Sequence, residues 1–499
     1  MTYPTDGLSW TGLNQLPKWQ PVPITALVCG DSITAYYDTG LTLTAPYCVD
    51  NRDGTATFYR ASHSLTPGEE FRISGAPEQK FNLMDGVVTQ VVSANAFRAK
   101  LTGRTTMGTS TTGATMYAPR RRSSRGWLSW VEERMGALFD STWCATGGAV
   151  IAEITDLVTN TELLDAYDYG FVMLGMNDVY EGRTYAQIVA DYTELLAKMR
   201  QKCRRMVILS ISCRNSADAN WSAARQAIHI QVNRWLYEYA RVNNCIFVDT
   251  WRAVANGVTY VDSSATNPDM NAVMAIDNTH PSAVGAKAIG DAVYSAISSD
   301  LKVGAWIGAH NEQISTNAGN IFTDSNFATE SGGVATSWAS SDSTANMNVT
   351  PTVAARTVSA NGDALGYNQI ITLNYGTATG TASTRFRRNN FQSSLVAGQQ
   401  FQVSIPYSLS GAVGLLGVSL ELVMSDGTYT YLVYGSSLDS NVDVMTDSRS
   451  GVLMTRPITI PSGITDADVW VRIYISSAQS VGNDLVVKMW QPVARMWAE

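Results

Sequence analysis

Charged residues, histidines and long apolar runs are all scarce in this sequence. Of its 499 residues only 16% are charged and 45% are hydrophobic, a balance that argues against an intrinsically disordered chain. A membrane-spanning helix needs roughly twenty consecutive apolar residues, and no such run is present. The formal net charge of −8 argues against a nucleic-acid-binding surface and against charge-driven binding to anionic membranes. The length fits about two to four domains.

The sequence also lacks a secretory signal and a disulfide pattern. Its first residues, 1–22, contain no basic segment followed by an apolar one, so we expect no signal peptide. The six cysteines show neither CxxC spacing nor clustering. Three of them lie in or beside apolar, strand-like runs, namely Cys29, Cys213 and Cys245. We therefore expect buried free thiols and a chain that folds in a reducing compartment.

Residues 23–44 and 119–302 alternate between strand-like and helix-like patterns. Short apolar runs typical of buried parallel strands occur at 24–30, 168–175, 205–212 and 245–250. Helical spacing of apolar residues occurs at 126–139, 185–203, about 218–242 and 280–297. This alternation predicts a discontinuous α/β domain built on a mostly parallel sheet.

Two other segments read as β-structure. Residues 45–118 are rich in Thr, Val, Phe and Gly, and their alternation predicts a small antiparallel domain inserted after the first strand. Residues 320–499 contain many short alternating runs and almost no helical pattern, which predicts an all-β sandwich. Residues 303–319 are predicted to be a linker, and residues 1–22 an N-terminal extension.

Only four histidines are present, so a histidine-dependent enzyme has few candidates. His280 lies at a predicted loop-to-helix junction, three residues after Asp277. A carboxylate at this spacing can fold back onto one imidazole nitrogen, which fixes the tautomer and stabilises the imidazolium. Taken alone, a helix-capping aspartate beside an exposed histidine explains these residues at least as well.

Three further segments have polar or glycine residues where predicted strands end. Ser32 in VCGDSIT follows the first strand, Asn177 in LGMNDV follows a later one, and Gly148 lies in ATGGAVIAEI. A hydroxyl, an amide and an unobstructed backbone N–H at one sheet edge can act as nucleophile and oxyanion donors. Each residue also fits an ordinary role in a cap, a loop end or a turn.

Together the four segments resemble the motifs of the SGNH hydrolases, also called GDSL-type esterases, and they occur in the same order. The resemblance implies a flavodoxin-like three-layer α/β/α fold and acyl-ester hydrolysis without a metal or cofactor. It implies a catalytic triad and an oxyanion hole, formed by Ser32, Asp277 and His280 and by Ser32, Gly148 and Asn177. The glycine segment, ATGGAVIAEI, lacks the asparagine that often precedes the glycine in this family, so Gly147 is an alternative to Gly148.

Residues beside the predicted site could contact the substrate. Tyr36 and Tyr37 follow the nucleophile, and Asp178 follows Asn177, so we assign all three to a possible substrate cleft. Asp178 also fits a structural loop anchor, a role that we favour over that of a base. For the tryptophans of the C-terminal region we expect core packing rather than sugar stacking, at Trp338, Trp470, Trp490 and Trp497.

The inserted segment resembles small β modules of bacteriophage tail proteins. The resemblance is carried by His63, Leu65, Gly68, Ile73, Gly75, Asn82, Val91 and Phe97. The C-terminal region, which begins NIFTDSNF, is similar to jelly-roll carbohydrate-binding modules of such proteins. These resemblances imply a tailspike or tail-fibre esterase that removes O-acetyl groups from a bacterial O-antigen or capsule. They also imply a virion-tail location, contacts with other tail proteins and a homotrimer.

Two alternatives remain open. The chain could be a bacterial carbohydrate or lipid esterase unrelated to phage, or a non-catalytic adhesin that binds glycan on an SGNH fold. The presence of all the expected polar residues favours an enzyme over an adhesin, because a site that has lost its activity usually loses some of them.

Overall fold

A computed structural model describes most of the chain, namely residues 24–35, 38–44, 47–51, 53–63, 65–67, 69–74, 83–100, 109–110, 115–160, 163–215, 218, 220–256, 269–301, 320–322, 325, 327–341, 343–355, 366–427, 430–434 and 443–497. Within these ranges, none of the helices has both the length and the apolar character of a membrane span. All six cysteines are free thiols; five are buried and Cys245 is half-buried.

The helices and strands follow one another in four groups. The first group is β1 (Ile24–Gly30) and α1 (Ser32–Ala35). The second contains only strands: β2 (Asp38–Thr44), β3 (Tyr47–Asp50), β4 (Thr55–Tyr59), β5 (Glu70–Ser74), β6 (Leu83–Ser93), β7 (Ala96–Lys100), β8 (Thr109–Ser110) and β9 (Thr115–Arg122). The third alternates helices and strands: α2 (Trp127–Met135), β10 (Phe139–Ala145), α3 (Ile151–Asn160), β11 (Tyr167–Met173), α4 (Met176–Tyr180), α5 (Tyr185–Lys202), β12 (Cys203–Leu209), α6 (Ala223–Val242), β13 (Ile246–Val248), α7 (Thr250–Val254), a 3-10 helix (Ala272–Met274) and α8 (Ala283–Ile297).

The fourth group is again composed of strands, with one 3-10 helix at Gln392–Ser394. Its strands are β14 (Glu330–Ser331), β15 (Val334–Ala335), β16 (Trp338–Ser341), β17 (Asn348–Ala355), β18 (Tyr367–Asn374), β19 (Ala382–Arg388), β20 (Gln400–Ser410), β21 (Leu415–Ser425), β22 (Thr430–Tyr434), β23 (Arg449–Met454), β24 (Ile458–Thr459), β25 (Asp466–Ile475), β26 (Leu485–Met489) and β27 (Val493–Trp497).

One parallel sheet organises the α/β region. Its strand order is β10-β1-β11-β12-β13, which is the 2-1-3-4-5 order of flavodoxin-like folds. The chain reverses its winding direction at β1, so the crevice that binds ligands in such folds opens at the C-terminal ends of β1 and β11. The predicted flavodoxin-like α/β fold is therefore confirmed.

Helices cover both faces of this sheet. Along β1, Val28 packs in a core with side chains of α2, α7 and α8, such as Leu128, Trp251 and Ile289. The neighbouring residue Leu27 belongs to a separate core with α3, α5 and α6. Because successive strand residues point to opposite faces, a continuous apolar run is what a strand buried on both sides requires. The result is the predicted three-layer arrangement.

The inserted strands form one antiparallel sheet, in the order β2-β9-β5-β6-β7-β4-β3-β8. The sheet is longer than the predicted domain of residues 45–118. Its outermost pair is Asp38 with Arg122, so it begins before residue 45 and ends after residue 118. Its core contains the rings of Phe58, Phe71 and Phe97, whose centroids lie 5.1–5.2 Å apart.

His63 is a structural residue of the inserted sheet. The ring is buried against Phe97. Its Nε2 donates to the carbonyl of Ser93 at 2.9 Å, and its Nδ1 accepts from the N–H of Leu65 at 3.0 Å. With both ring nitrogens hydrogen-bonded to the backbone, His63 has no nitrogen left for proton transfer.

Apart from the pair β14-β15, the C-terminal strands form two antiparallel sheets, of five and seven strands, that share one core. Their orders are β16-β19-β25-β21-β22 and β17-β18-β26-β20-β23, and β24 and β27 also pair with β20. Trp338 belongs to this core and stacks on Phe386 at 4.6 Å, as expected. Trp470 is half-buried outside it, with the Arg385 guanidinium 4.5 Å from its ring. Trp490 and Trp497 are also half-buried.

Candidate active site

Ser32 begins a short helix directly after a buried strand. Gly30 ends β1 and has no room for a side chain, because a Cβ there would lie 2.2 Å from Thr34 atoms. The first turn of α1 is closed by the N–H of Ala35, which donates to the carbonyl of Asp31 at 2.8 Å. As the first residue of the helix, Ser32 has a backbone N–H that needs no intrahelical partner.

His280 is held in a loop that leads into α8. The N–H of Ile276 donates to the His280 carbonyl at 3.0 Å, and the N–H of Ser282 donates to the Met274 carbonyl at 2.7 Å. Ser282 caps α8, since its side chain accepts from the N–H of Gly285. These bonds fix the backbone on both sides of the imidazole.

The loop brings the imidazole to Ser32 across 248 residues of sequence. The distance from Ser32 Oγ to His280 Nε2 is 2.8 Å. On the other side of the ring, Nδ1 lies 2.7 Å from Asp277 Oδ2. Because Nδ1 faces a carboxylate it carries the proton, which leaves Nε2 to accept from the Ser32 hydroxyl. Ser32, His280 and Asp277 thus have the geometry of a nucleophile, a base and the group that orients the base.

Asp277 is held as a carboxylate. Partial burial alone would raise its pKa, but hydrogen bonds from the backbone N–H and the ring of His280, and from the N–H of Thr279, lower it below its usual range. The two backbone bonds reach Oδ1, and both are 2.7 Å long. Asp277 therefore orients the imidazole and keeps its negative charge at neutral pH.

The turn after β10 brings glycine backbone to Ser32. The N–H of Thr146 donates to the Gly30 carbonyl at 3.2 Å, which ties the turn to the end of β1. A Cβ at Gly147 would lie 3.9 Å from the Ser32 Cβ, whereas Gly148 has a φ of +79°, a conformation that favours glycine. Among the described residues, no acceptor binds the N–H of Gly147 or Gly148. Both glycines remain candidates for the oxyanion donor.

Asn177 lies in the short helix α4, which follows strand β11. Gly175, with a φ of +100°, turns the chain from β11 into α4. Asn177 Nδ2 donates to the Ala149 carbonyl at 2.9 Å. This bond uses one of the two amide hydrogens and anchors the amide to the glycine turn, so the second hydrogen is available for a developing oxyanion.

Asp178 does not line a cleft, contrary to our assignment. Its side chain is fully buried. Oδ2 accepts from the N–H of Ile151 at 3.1 Å, and Oδ1 lies 2.6 Å from Nη1 of Arg183, which also binds Asp191. Consecutive helical residues point about 100° apart, so Asp178 enters the core when Asn177 faces the edge of the sheet. It is a structural anchor for the start of α3. Tyr36 and Tyr37 lie outside the described residues.

Asp31 is a residue of this site that sequence reasoning missed. Its side chain is buried, and Oδ1 accepts from the N–H of Ile33 at 3.1 Å. Burial is the main reason that its pKa is raised to about 7. The hydrogen bond from Ile33 lowers the pKa, and the nearby charge of Asp178 raises it further. The GDS motif contains this aspartate, but the motif alone does not say that the carboxyl points into the protein.

Comparison with known proteins agrees with this geometry. Residues 106–288 match the model of the GDSL-like Lipase/Acylhydrolase family, a range that contains Gly148, Asn177, Asp277 and His280, whereas Ser32 precedes it. This range covers less than half of the chain, and over it the α/β region is similar to GDSL-like lipases and acylhydrolases.

Several solved structures are similar to the chain at low identity. A GDSL-like lipase from Bacteroides thetaiotaomicron is 18% identical over 32% of this chain and 77% of that one, with a TM-score of 0.26. A member of the lipolytic protein G-D-S-L family from Veillonella parvula is 15% identical over 34% and 87%, with a TM-score of 0.26. An acetylxylan esterase from Geobacillus stearothermophilus is 15% identical over 56% and 96%, with a TM-score of 0.29. No curated protein matches the sequence.

Proposed function

We propose that the chain is a serine esterase that removes O-acetyl groups from a polysaccharide, with Ser32 as its nucleophile. The observation that carries this proposal is the continuous hydrogen-bonded path from Ser32 Oγ through His280 to Asp277, with distances of 2.8 and 2.7 Å. A hydroxyl is a weak nucleophile at neutral pH unless a base removes its proton, and this path supplies that base.

The reaction proceeds in two halves. His280 Nε2 takes the proton of Ser32, and Oγ forms a bond to the ester carbonyl carbon. The oxyanion is held by the N–H of Ser32, the N–H of Gly148 or Gly147, and the amide of Asn177. His280 then gives its proton to the departing sugar oxygen as the ester bond breaks. A water molecule, deprotonated by His280, attacks the acyl carbon. His280 then returns this proton to Ser32 Oγ as the bond between Oγ and the acyl carbon breaks, which releases the acetyl group and restores the free enzyme.

The exposure of the site supports a small acyl group on a large substrate. Thr146, Gly147 and Gly148 are exposed beside Ser32, and the side chain of Asp277 is 50% exposed. A polymer can approach such an open rim with an acetyl group pointing inward. A long fatty-acyl chain would need an apolar groove to cover it.

The proposed biological setting is a phage tailspike or tail fibre that acts on a bacterial O-antigen or capsule. It rests on the resemblance of the inserted segment and of the C-terminal region to modules of such proteins. A phage protein folds in the host cytoplasm and leaves on lysis, so free cysteines are compatible with this setting. Assembly as a homotrimer and contacts with other tail proteins belong to the same proposal.

The test is to titrate acetate released from purified O-acetylated polysaccharide, with the Ser32→Ala variant as control. We expect release by the wild type and none above background by the variant. Preferential hydrolysis of long-chain lipid esters would support a lipid esterase instead. Polysaccharide binding without acetate release would support a non-catalytic adhesin.

A further inference from the structure

The C-terminal sandwich shares its core with two helices of the α/β domain. Trp130 of α2, and Ala283 and Ala286 of α8, pack within the same apolar cluster as the sandwich strands. The Arg449 guanidinium lies 4.6 Å from the ring centroid of Trp130. Since α8 begins next to the loop of His280, the sandwich is packed against the element that follows the proposed base.

One carboxylate of the sandwich region contacts both helices at their beginnings. Asp443 accepts two hydrogen bonds from Arg125, from Nε to Oδ2 at 3.2 Å and from Nη2 to Oδ1 at 3.1 Å. Arg125 lies just before α2. Asp443 Oδ2 also accepts from the backbone N–H of Ala283 at 2.9 Å, across 160 residues of sequence. This pairing of a fork-shaped guanidinium with a carboxylate fixes the orientation of the carboxylate.

The bond to Ala283 is made in the first turn of helix α8. Ala283 is the first residue of the helix and follows His280 by three positions. Backbone N–H groups in the first turn of a helix have no intrahelical acceptor, and a negative charge there is stabilised by the helix dipole. The Ser282 side chain satisfies Gly285, and Asp443 satisfies Ala283. The start of α8 is thus held both by its own capping residue and by a residue of the sandwich region.

We infer that Asp443 is a positioning residue for His280, so that the C-terminal sandwich is part of the framework of the active site. Asp443 acts through the first turn of α8 and fixes the distance from His280 Nε2 to Ser32 Oγ. This inference rests on the proposed function, because it assigns a consequence to the position of the base. Loss of the contact is expected to affect the chemical step rather than substrate binding.

The test is the steady-state kinetics of Asp443→Ala in the full-length chain, with an acetyl ester as substrate. A displacement of about 1 Å in a catalytic group can cost about a hundredfold in rate, so we expect kcat to fall about ten- to a hundredfold and KM to change by less than about twofold. Asp443→Asn keeps an oxygen that can accept from Ala283, and it should recover part of this loss.

Asp447→Ala is the matched control. Asp447 lies 3.6 Å from Lys287, which is one turn after Ala283 in α8, and 3.4 Å from Arg449. Unlike Asp443, it accepts no hydrogen bond from the backbone N–H of Ala283, which goes to Asp443. We expect its kcat to stay within about twofold of the wild type, because the hydrogen bond from Ala283 to Asp443 that positions the start of α8 is unchanged. An equal loss in Asp447→Ala and Asp443→Ala would overturn the inference, because it would reflect a general weakening of the interface.

The outcomes separate this inference from the proposed function. If Ser32→Ala keeps full activity, the proposed function fails whatever Asp443 does. If Ser32→Ala is inactive and folded Asp443→Ala has wild-type kcat, only the positioning role fails. Should Asp443→Ala not fold, Asp443→Asn and Arg125→Lys decide: a lower kcat at an unchanged melting temperature supports the inference, and wild-type kcat in both overturns it.

Discussion

Two buried carboxylates at the edge of the parallel sheet and two buried amides of the C-terminal sandwich hold the backbone in different ways. At the sheet edge, the residues beside the nucleophile and the oxyanion asparagine are buried carboxylates, Asp31 and Asp178. In the sandwich, Gln369 and Gln479 are buried amides that hydrogen-bond to the backbone of nearby loops. A neutral amide satisfies backbone groups at any pH, whereas a buried carboxyl group makes stability depend on its protonation. The comparison sets two side chains that anchor the backbone beside the proposed catalytic residues against two that anchor loops of the sandwich.

Removing the proposed nucleophile or base should give the largest effect. We expect Ser32→Ala and His280→Ala to lower kcat/KM for an acetyl ester by about 10⁴-fold or more. The first variant has no nucleophile to acylate, and the second has no base to activate the serine or the water. Both side chains are near the surface, so the melting temperature should change little. Ester hydrolysis and thermal unfolding measured on the same preparations check this. Retention of a tenth of wild-type activity in either variant would contradict the assignment.

Asn177→Ala should give the next largest effect. Loss of one oxyanion donor typically lowers kcat by about 10²- to 10³-fold, and KM should be nearly unchanged because the charge develops only in the transition state. The lost bond to Ala149 should lower the free energy of unfolding by only about 1 kcal/mol. Asn177→Asp is the matched variant: it keeps the size of the side chain but cannot donate when ionised. Near wild-type kcat in either variant would exclude Asn177 from the oxyanion hole.

Asp178→Ala should affect stability and activity together, which sharpens the contrast with the sandwich. It leaves the N–H of Ile151 without its partner and removes a buried ion-pair partner of Arg183, so we expect a loss of about 2–3 kcal/mol of unfolding free energy. Activity should also fall, because Asp178 follows Asn177 directly. Gln479→Ala is the counterpart and should lower stability with kcat unchanged. Denaturant unfolding and kinetics measure both; equal kcat in the two variants would remove the distinction.

Asp31→Asn should give the smallest effect, one that depends on pH. The ordinary pKa of the side chain is 3.8 and burial raises it to about 7, so folding favours the protonated carboxyl. That stabilisation is fully present below the unfolded pKa and is lost as the pH rises through the folded pKa. The amide does not titrate and can still accept from Ile33. The melting temperature of the variant minus that of the wild type, measured by calorimetry, should therefore be larger at pH 8 than at pH 5. The same difference at both pH values would show that Asp31 does not titrate in this range.

Much of the site could be predicted because parallel sheets bring strand ends together. Ser32 and Asn177 each follow an apolar run, and the C-terminal ends of parallel strands share one edge. His280 could be placed there only through the resemblance to a family, since nothing local in its sequence indicates that it reaches Ser32. The periodicity of apolar residues therefore predicted the three layers of the α/β fold, and the motifs predicted that Ser32, Asn177 and His280 meet at one edge of the sheet.

The features that were missed depend on contacts with no local pattern. The orientation of Asp178 follows from the start of helix α4, which the sequence does not specify to one residue. The contact of Asp443 with Ala283 depends on how the sandwich packs on α2 and α8, and that packing leaves no periodic signal. The pairing of Asp38 with Arg122 is likewise set by the return of the chain after the inserted strands.

Covalent trapping of the nucleophile tests the central claim most directly. A fluorophosphonate reacts with a serine hydroxyl that a neighbouring base activates, and mass spectrometry of the digested protein identifies the modified residue. We predict a single adduct on Ser32, its absence in Ser32→Ala, and much slower labelling in His280→Ala. Labelling of a different serine, or full esterase activity after Ser32 has been completely modified, would contradict the account.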